Sequence, residues 1–111
     1  MIRDMLLNRL NTLFGEPERT TKKVQAWTIT RYFGFVVEVD VPQNGAFANV
    51  WLPYPQGNTS LPAVSHSVYP ADKGRHSNTY QTPGLHRGEP VLKLKVSSAE
   101  DIEQLLQYLT S

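Results

Sequence analysis

Residues 91–110 read Val-Leu-Lys-Leu-Lys-Val-Ser-Ser-Ala-Glu-Asp-Ile-Glu-Gln-Leu-Leu-Gln-Tyr-Leu-Thr, and their apolar period changes partway along. Up to Val96 the period is two. Leu92, Leu94 and Val96 fall on one side of an extended chain and Lys93 and Lys95 on the other, the pattern of a strand with one buried and one wet face. Beyond Ser97 the period becomes helical, with Ile102, Leu105, Leu106 and Leu109 on one stripe. Ser97 and Glu100 stand at the spacing of a capping box, in which the hydroxyl accepts from the amide three residues on and the carboxylate reaches back. A strand that runs straight into an amphipathic helix predicts a sheet with a helix lying on it.

The start of the chain supplies a second helix. Ile2, Met5, Leu6, Leu10 and Leu13 recur at helical spacing as far as Phe14, and Gly15 and Pro17 mark its end. Val24 to Phe33 is rich in β-branched and aromatic residues. As a strand it places Trp27, Ile29 and Phe33 on one face and Thr28 and Thr30 on the other. Phe35 to Val41 alternates, with Phe35, Val37, Val39 and Val41 opposed to Glu38 and Asp40, so that one face is expected to be buried and the other wet. In Pro42-Gln43-Asn44-Gly45 the Asn-Gly pair tolerates positive φ and predicts a tight hairpin, with Ala46 to Leu52 as the return strand.

These elements predict an α+β fold: a two-layer domain with an antiparallel sheet of about four to five strands and the N- and C-terminal helices packed on one face. The expected core is Leu6, Leu10, Leu13, Trp27, Ile29, Phe35, Val37, Val39, Leu92, Leu94, Ile102, Leu105 and Leu106. At 111 residues the chain is read as a single domain, 1–111. Its 40% apolar and 19% charged residues are those of a folded protein rather than a disordered one.

A formal net charge of +1 provides no general attraction for polyanions, so any anion site must be local. The chain has no cysteine, which removes disulfides, thiolate ligands and a thiol nucleophile and makes a reducing cytoplasm the expected location. Asp4 interrupts an N-terminal apolar run already too short for a signal peptide. No stretch approaches the roughly 20 apolar residues that span a bilayer, so no membrane partner is expected.

Between Pro53 and Pro90 no apolar period persists, and this region holds most of the prolines and all three histidines. Short edge strands are expected around Ser65 to Tyr69 and Asn78 to Thr82. Within it, residues 74–88 read Gly-Arg-His-Ser-Asn-Thr-Tyr-Gln-Thr-Pro-Gly-Leu-His-Arg-Gly. Donors and rings punctuated by glycines suit a binding loop. The expected ligand-binding set is Lys73, Arg75, His76, Asn78, Tyr80, His86 and Arg87. In it the cations cradle phosphate, Tyr80 stacks on a base and Asn78 reads an edge. The function expected first is a non-catalytic binding module for nucleic acid or another polyanion, with no cofactor.

Two other classes compete. Glu38 and Asp40 would lie roughly 7 Å apart on one strand face, close enough to share a divalent cation in a metal-dependent hydrolase or nuclease. The simpler expectation is that they face Lys93 and Lys95 across the sheet as opposite charges. A nuclease pattern of a remote acid followed by an acid two residues before a lysine is broken, since Lys93 stands where the second acid belongs. His66, His76 and His86 recur every ten residues, which is neither strand nor helix ligand spacing, and no Gly-x-Ser-x-Gly elbow is present. Alternatively the chain is a structural or oligomeric accessory protein that meets another chain, or a second copy, through a sheet edge or through Trp51 and Tyr54. The order of elements is broadly similar to that of the small MmcQ/YjbR-like proteins, a group to which DNA binding is ascribed. The resemblance implies no site residue.

Overall fold

A computed structural model describes residues 1–55, 61–74 and 79–110. In chain order the elements are α1 (Ile2–Phe14), β1 (Arg19–Thr20), β2 (Val24–Thr30), β3 (Phe33–Glu38), β4 (Ala48–Pro53), β5 (His66–Tyr69), β6 (Val91–Val96) and α2 (Ala99–Thr110). The strands form one sheet in the order β1-β2-β3-β4-β6-β5, and every neighbouring pair is antiparallel. This is the two-layer α+β domain expected, with six strands among the described residues instead of about four to five; the addition is β1, whose two residues are too few to display a period.

Both helices pack on one face. Leu6 and Leu10 from α1 and Ile102, Leu105 and Leu106 from α2 join Trp27, Phe35, Val37, Ala48, Val50, Leu52, Leu92, Leu94 and Val96 in the main core. Phe35 is held between two rings, stacked on Trp27 at 5.4 Å and edge-on to Phe14 at 5.6 Å. Leu13 and Ile29, both expected in the core, lie outside it, 48% and 37% exposed. Leu13 belongs to the last turn of α1. The β2–β3 register shifts between Thr28 and Thr30, which leaves Ile29 without a cross-strand partner at the far end of the hairpin. Val39, also expected in the core, is half-buried just beyond the end of β3.

The Asn-Gly segment turns the chain, but not as a tight hairpin. Gly45 donates its N–H to the Pro42 carbonyl at 3.1 Å and carries φ +69°, while no described residue other than glycine has positive φ. Asn44 instead uses its Oδ1 to accept from the Ala46 amide at 3.0 Å. The connection therefore spans residues 39–47 and is tied to α1, with the Arg3 amide donating to the Gly45 carbonyl and its guanidinium to the Pro42 carbonyl.

The expected wet face of the sheet is not wet. A second core of Val24, Ala26, Val36, Trp51, Leu85 and Val91, with Tyr69 against it, lies on the side away from the helices. Leu85 belongs to a strap, residues 79–90, which crosses this face. The strap is made of turns, with Thr82 donating to the Thr79 carbonyl at 3.2 Å and Leu85 to the Thr82 carbonyl at 3.0 Å. A strand expected over Asn78 to Thr82 is thus absent from 79–82, and Asn78 lies outside the described residues. The expected strand at Ser65 to Tyr69 is β5.

At the start of α2 the cap is Ser98 rather than Ser97. The Ser98 Oγ accepts from the Asp101 amide at 3.1 Å, and the Asp101 carboxylate accepts from the Ser97 amide at 2.9 Å and from its hydroxyl at 3.2 Å. Asp101 stands three residues after the cap, in the place expected for Glu100, but its carboxylate reaches Ser97, one residue before the cap, in place of the cap's own amide. Ser98→Ala should cost about 1 kcal/mol, and Ser97→Ala less, since only an exposed hydroxyl contact is lost. Denaturant midpoints of the two variants check the order. Arg9 of α1 pairs with Glu103 of α2 and holds its carboxyl below the usual range, but both side chains are about half exposed and contribute little.

Candidate functional site

β4 organises the face away from the helices. The register pairs Val36 with Trp51 and Trp51 with Lys93, so these three side chains run in a row across β3, β4 and β6. Glu38, two residues after Val36, shares their face. Its Oε2 accepts from the Trp51 indole Nε1–H at 2.7 Å, and Glu38 is only 5% exposed. Lys93 sits over the same indole, its ammonium 5.3 Å from the ring centroid, while Tyr69 meets the ring edge-on at 5.0 Å. The expected pairing of Glu38 and Asp40 with Lys93 and Lys95 is replaced by this arrangement, because β4 lies between the two strands. Lys95 lies over the Phe47 ring at 4.4 Å. Asp40 keeps one oxygen, Oδ1, buried and without a hydrogen-bond partner among the described residues. No group of three His, Asp or Glu side chains converges among the described residues.

Trp51 is 2% exposed, so it fills the second core instead of presenting a surface to another chain. Tyr54 is exposed.

Of the seven residues expected to bind a ligand, the structure brings three together. Lys73, Tyr80 and Arg87 line one pocket of about 130 Å³, with Asp72, Gly74 and Gly88. Each cation rests on a ring: the Lys73 ammonium is 4.3 Å from the Tyr69 centroid and the Arg87 guanidinium 4.3 Å from that of Tyr80. Such seating restricts long side chains that otherwise lose rotamer freedom on binding. A Cβ at Gly74 or Gly88 would meet nothing within 4 Å among the described residues, which leave the backbone on this rim uncovered.

His86 points elsewhere. It lines a neighbouring pocket of about 340 Å³ with Arg31, Tyr32, Pro53, Tyr54 and Glu89, and its Nδ1 lies 3.0 Å from the Tyr80 carbonyl. Arg75, His76 and Asn78 lie outside the described residues. Sequence reasoning missed Asp72 as a pocket residue and Leu85, whose burial anchors the strap carrying Tyr80 and Arg87. A lone leucine among polar neighbours was the available signal.

The strap is locked to the sheet at Gly34, whose amide donates to the Pro83 carbonyl at 2.8 Å. At the next residue of the strap, Gly84 at φ +82° packs where a Cβ would fall 2.6 Å from Pro53 Cγ and 2.7 Å from the Tyr32 carbonyl oxygen. Both pockets are therefore built on the same anchored segment. No protein-family model, curated protein or solved structure matches the chain.

Proposed function

We propose that the protein is a non-catalytic binding module for a polyanion, nucleic acid foremost, with the Lys73, Tyr80 and Arg87 pocket as its contact point. The observation that supports this reading is the convergence of two ring-seated cations from separate segments on one pocket with an open glycine rim. Among the described residues two cations stand against the single carboxylate of Asp72 and make the pocket positive, in a chain whose overall charge is only +1. Arg87 presents several donors in a fixed plane and Lys73 a compact charge, a combination suited to phosphate oxygens. The hydrolase reading has less behind it, because the Glu38 carboxylate is committed to the Trp51 indole.

Binding of a labelled oligonucleotide should weaken with added salt as neutralised phosphates release counterions. Arg87→Ala should lower the affinity and flatten the slope of log K against log salt by about 0.7–0.9, the share of one phosphate. Fluorescence anisotropy at several salt concentrations measures both. A slope unchanged in Arg87→Ala would remove this pocket from the contact, and no binding at low salt would remove the reading itself.

A further inference from the structure

The pocket beside the cationic one differs from it in chemistry. Tyr32 and Tyr54 both line it, 77% and 38% exposed, with Pro53 at their side. Its charged groups, Arg31 and Glu89, are opposite in sign. A phosphate gains little from such a balance, whereas a planar neutral ring gains from contact with the two tyrosine side chains. The two pockets share the strap as a common wall: His86 and Glu89 line the aromatic one, and their chain neighbours Arg87 and Gly88 the cationic one. Consecutive Cα atoms are only about 3.8 Å apart, so a phosphate on one side of the strap and a base on the other lie within the span of a nucleotide or two.

We infer that the ligand is single-stranded nucleic acid, with a phosphate held by Lys73 and Arg87 and a base stacked on Tyr32 and Tyr54 across the strap. The inference rests on the polyanion reading above and narrows it. A duplex buries its base faces within its own stack and offers the tyrosines nothing, while an unpaired strand presents a ring face at every residue. Tyr80 already has Arg87 on its ring, so the stacking role passes to the more open tyrosines. Gly84 supports that role by wedging between Pro53 and the Tyr32 carbonyl, which fixes the pocket floor before any ligand arrives.

The test titrates the intact protein at low salt with a labelled single-stranded oligothymidylate, a duplex of the same length and inorganic polyphosphate. The single strand should bind about tenfold or more tighter than either competitor, and Tyr32→Ala should weaken the single strand about tenfold, within the range for losing one stacked base. Polyphosphate affinity should not change in that variant. Tyr54→Ala should act in the same direction, and if it fails to fold, Tyr32→Ala decides alone because its ring is largely in solvent. Duplex or polyphosphate binding as tight as the single strand, or an unaltered Tyr32→Ala, overturns the single-strand inference while the polyanion reading stands. Failure of all three ligands to bind overturns both.

Discussion

Replacing Trp51 by alanine is expected to remove about 3–5 kcal/mol of stability, the cost of deleting a large buried aromatic side chain. Two losses combine. The indole fills the second core against Tyr69 and Leu85, so truncation leaves a cavity under the strap. It also donates to Glu38, whose carboxylate at 5% exposure would then stay buried with a donor removed. Trp51→Phe separates the two, since it keeps a ring but not the N–H, and should cost about 1.5–3 kcal/mol, the range for a hydrogen bond to a charged group. Pairing Trp51→Phe with Glu38→Gln closes a double-mutant cycle whose coupling energy reports the indole–carboxylate bond. Chemical denaturation supplies all the values. A loss below about 1 kcal/mol for Trp51→Ala would mean that the strap contributes no real core, given total stabilities of about 5–15 kcal/mol for domains of this kind.

The second large effect is expected from a single methyl group at Gly34. A Cβ there would lie 2.5 Å from Thr82 Cγ2, 2.7 Å from the Trp27 carbonyl oxygen and 3.3 Å from Pro83 Cδ. The carbonyl belongs to the neighbouring strand and cannot swing away, so relief must come from the strap or from β2. Gly34→Ala should therefore cost about 3 kcal/mol, the upper end for overpacking, and should displace the strap with its Tyr80 and Arg87. Gly74→Ala is the control, since a Cβ at Gly74 meets nothing within 4 Å among the described residues and should leave the melting temperature unchanged. Thermal denaturation compares the two, and amide exchange at Leu85 reports whether the strap has lifted. Equal melting temperatures for the two variants would contradict the tight seating of the strap on β3.

Much of the architecture was legible because period and punctuation agreed. The bounds of β6 coincide with the Val91 to Val96 alternation, and α1 and α2 follow their apolar stripes. What escaped was everything set by register. Alternation shows that Glu38 shares a face with Val36 but not what covers that face, and the covering strap carries a single buried leucine and no period. The β3–β4 register, which brings Trp51 to Glu38, is set by a connection over residues 39–47 that no tight-turn rule describes. The two adjacent serines before α2 each satisfy the capping pattern, and only the geometry of Asp101 separates them. The candidate site was legible as a composition: Lys73, Tyr80 and Arg87 stand out among polar neighbours. Their convergence, and the separation of His86 into the tyrosine-lined pocket, depend on how the strap folds over the sheet.

The sheet also ends differently from the way it begins to be built. Its two outermost strands are β1 and β5, of two and four residues, and Pro70 follows β5 directly. Outermost strands this short present few amides and carbonyls in line and are a poor template for another strand, and proline has no amide to extend β5. Strand-to-strand growth between molecules, the usual route from an open antiparallel sheet to fibres, is thereby cut short at both ends. Association of this protein with itself at high concentration should accordingly lack the thioflavin signal and the strand-spacing reflection of about 4.7 Å that such stacking produces.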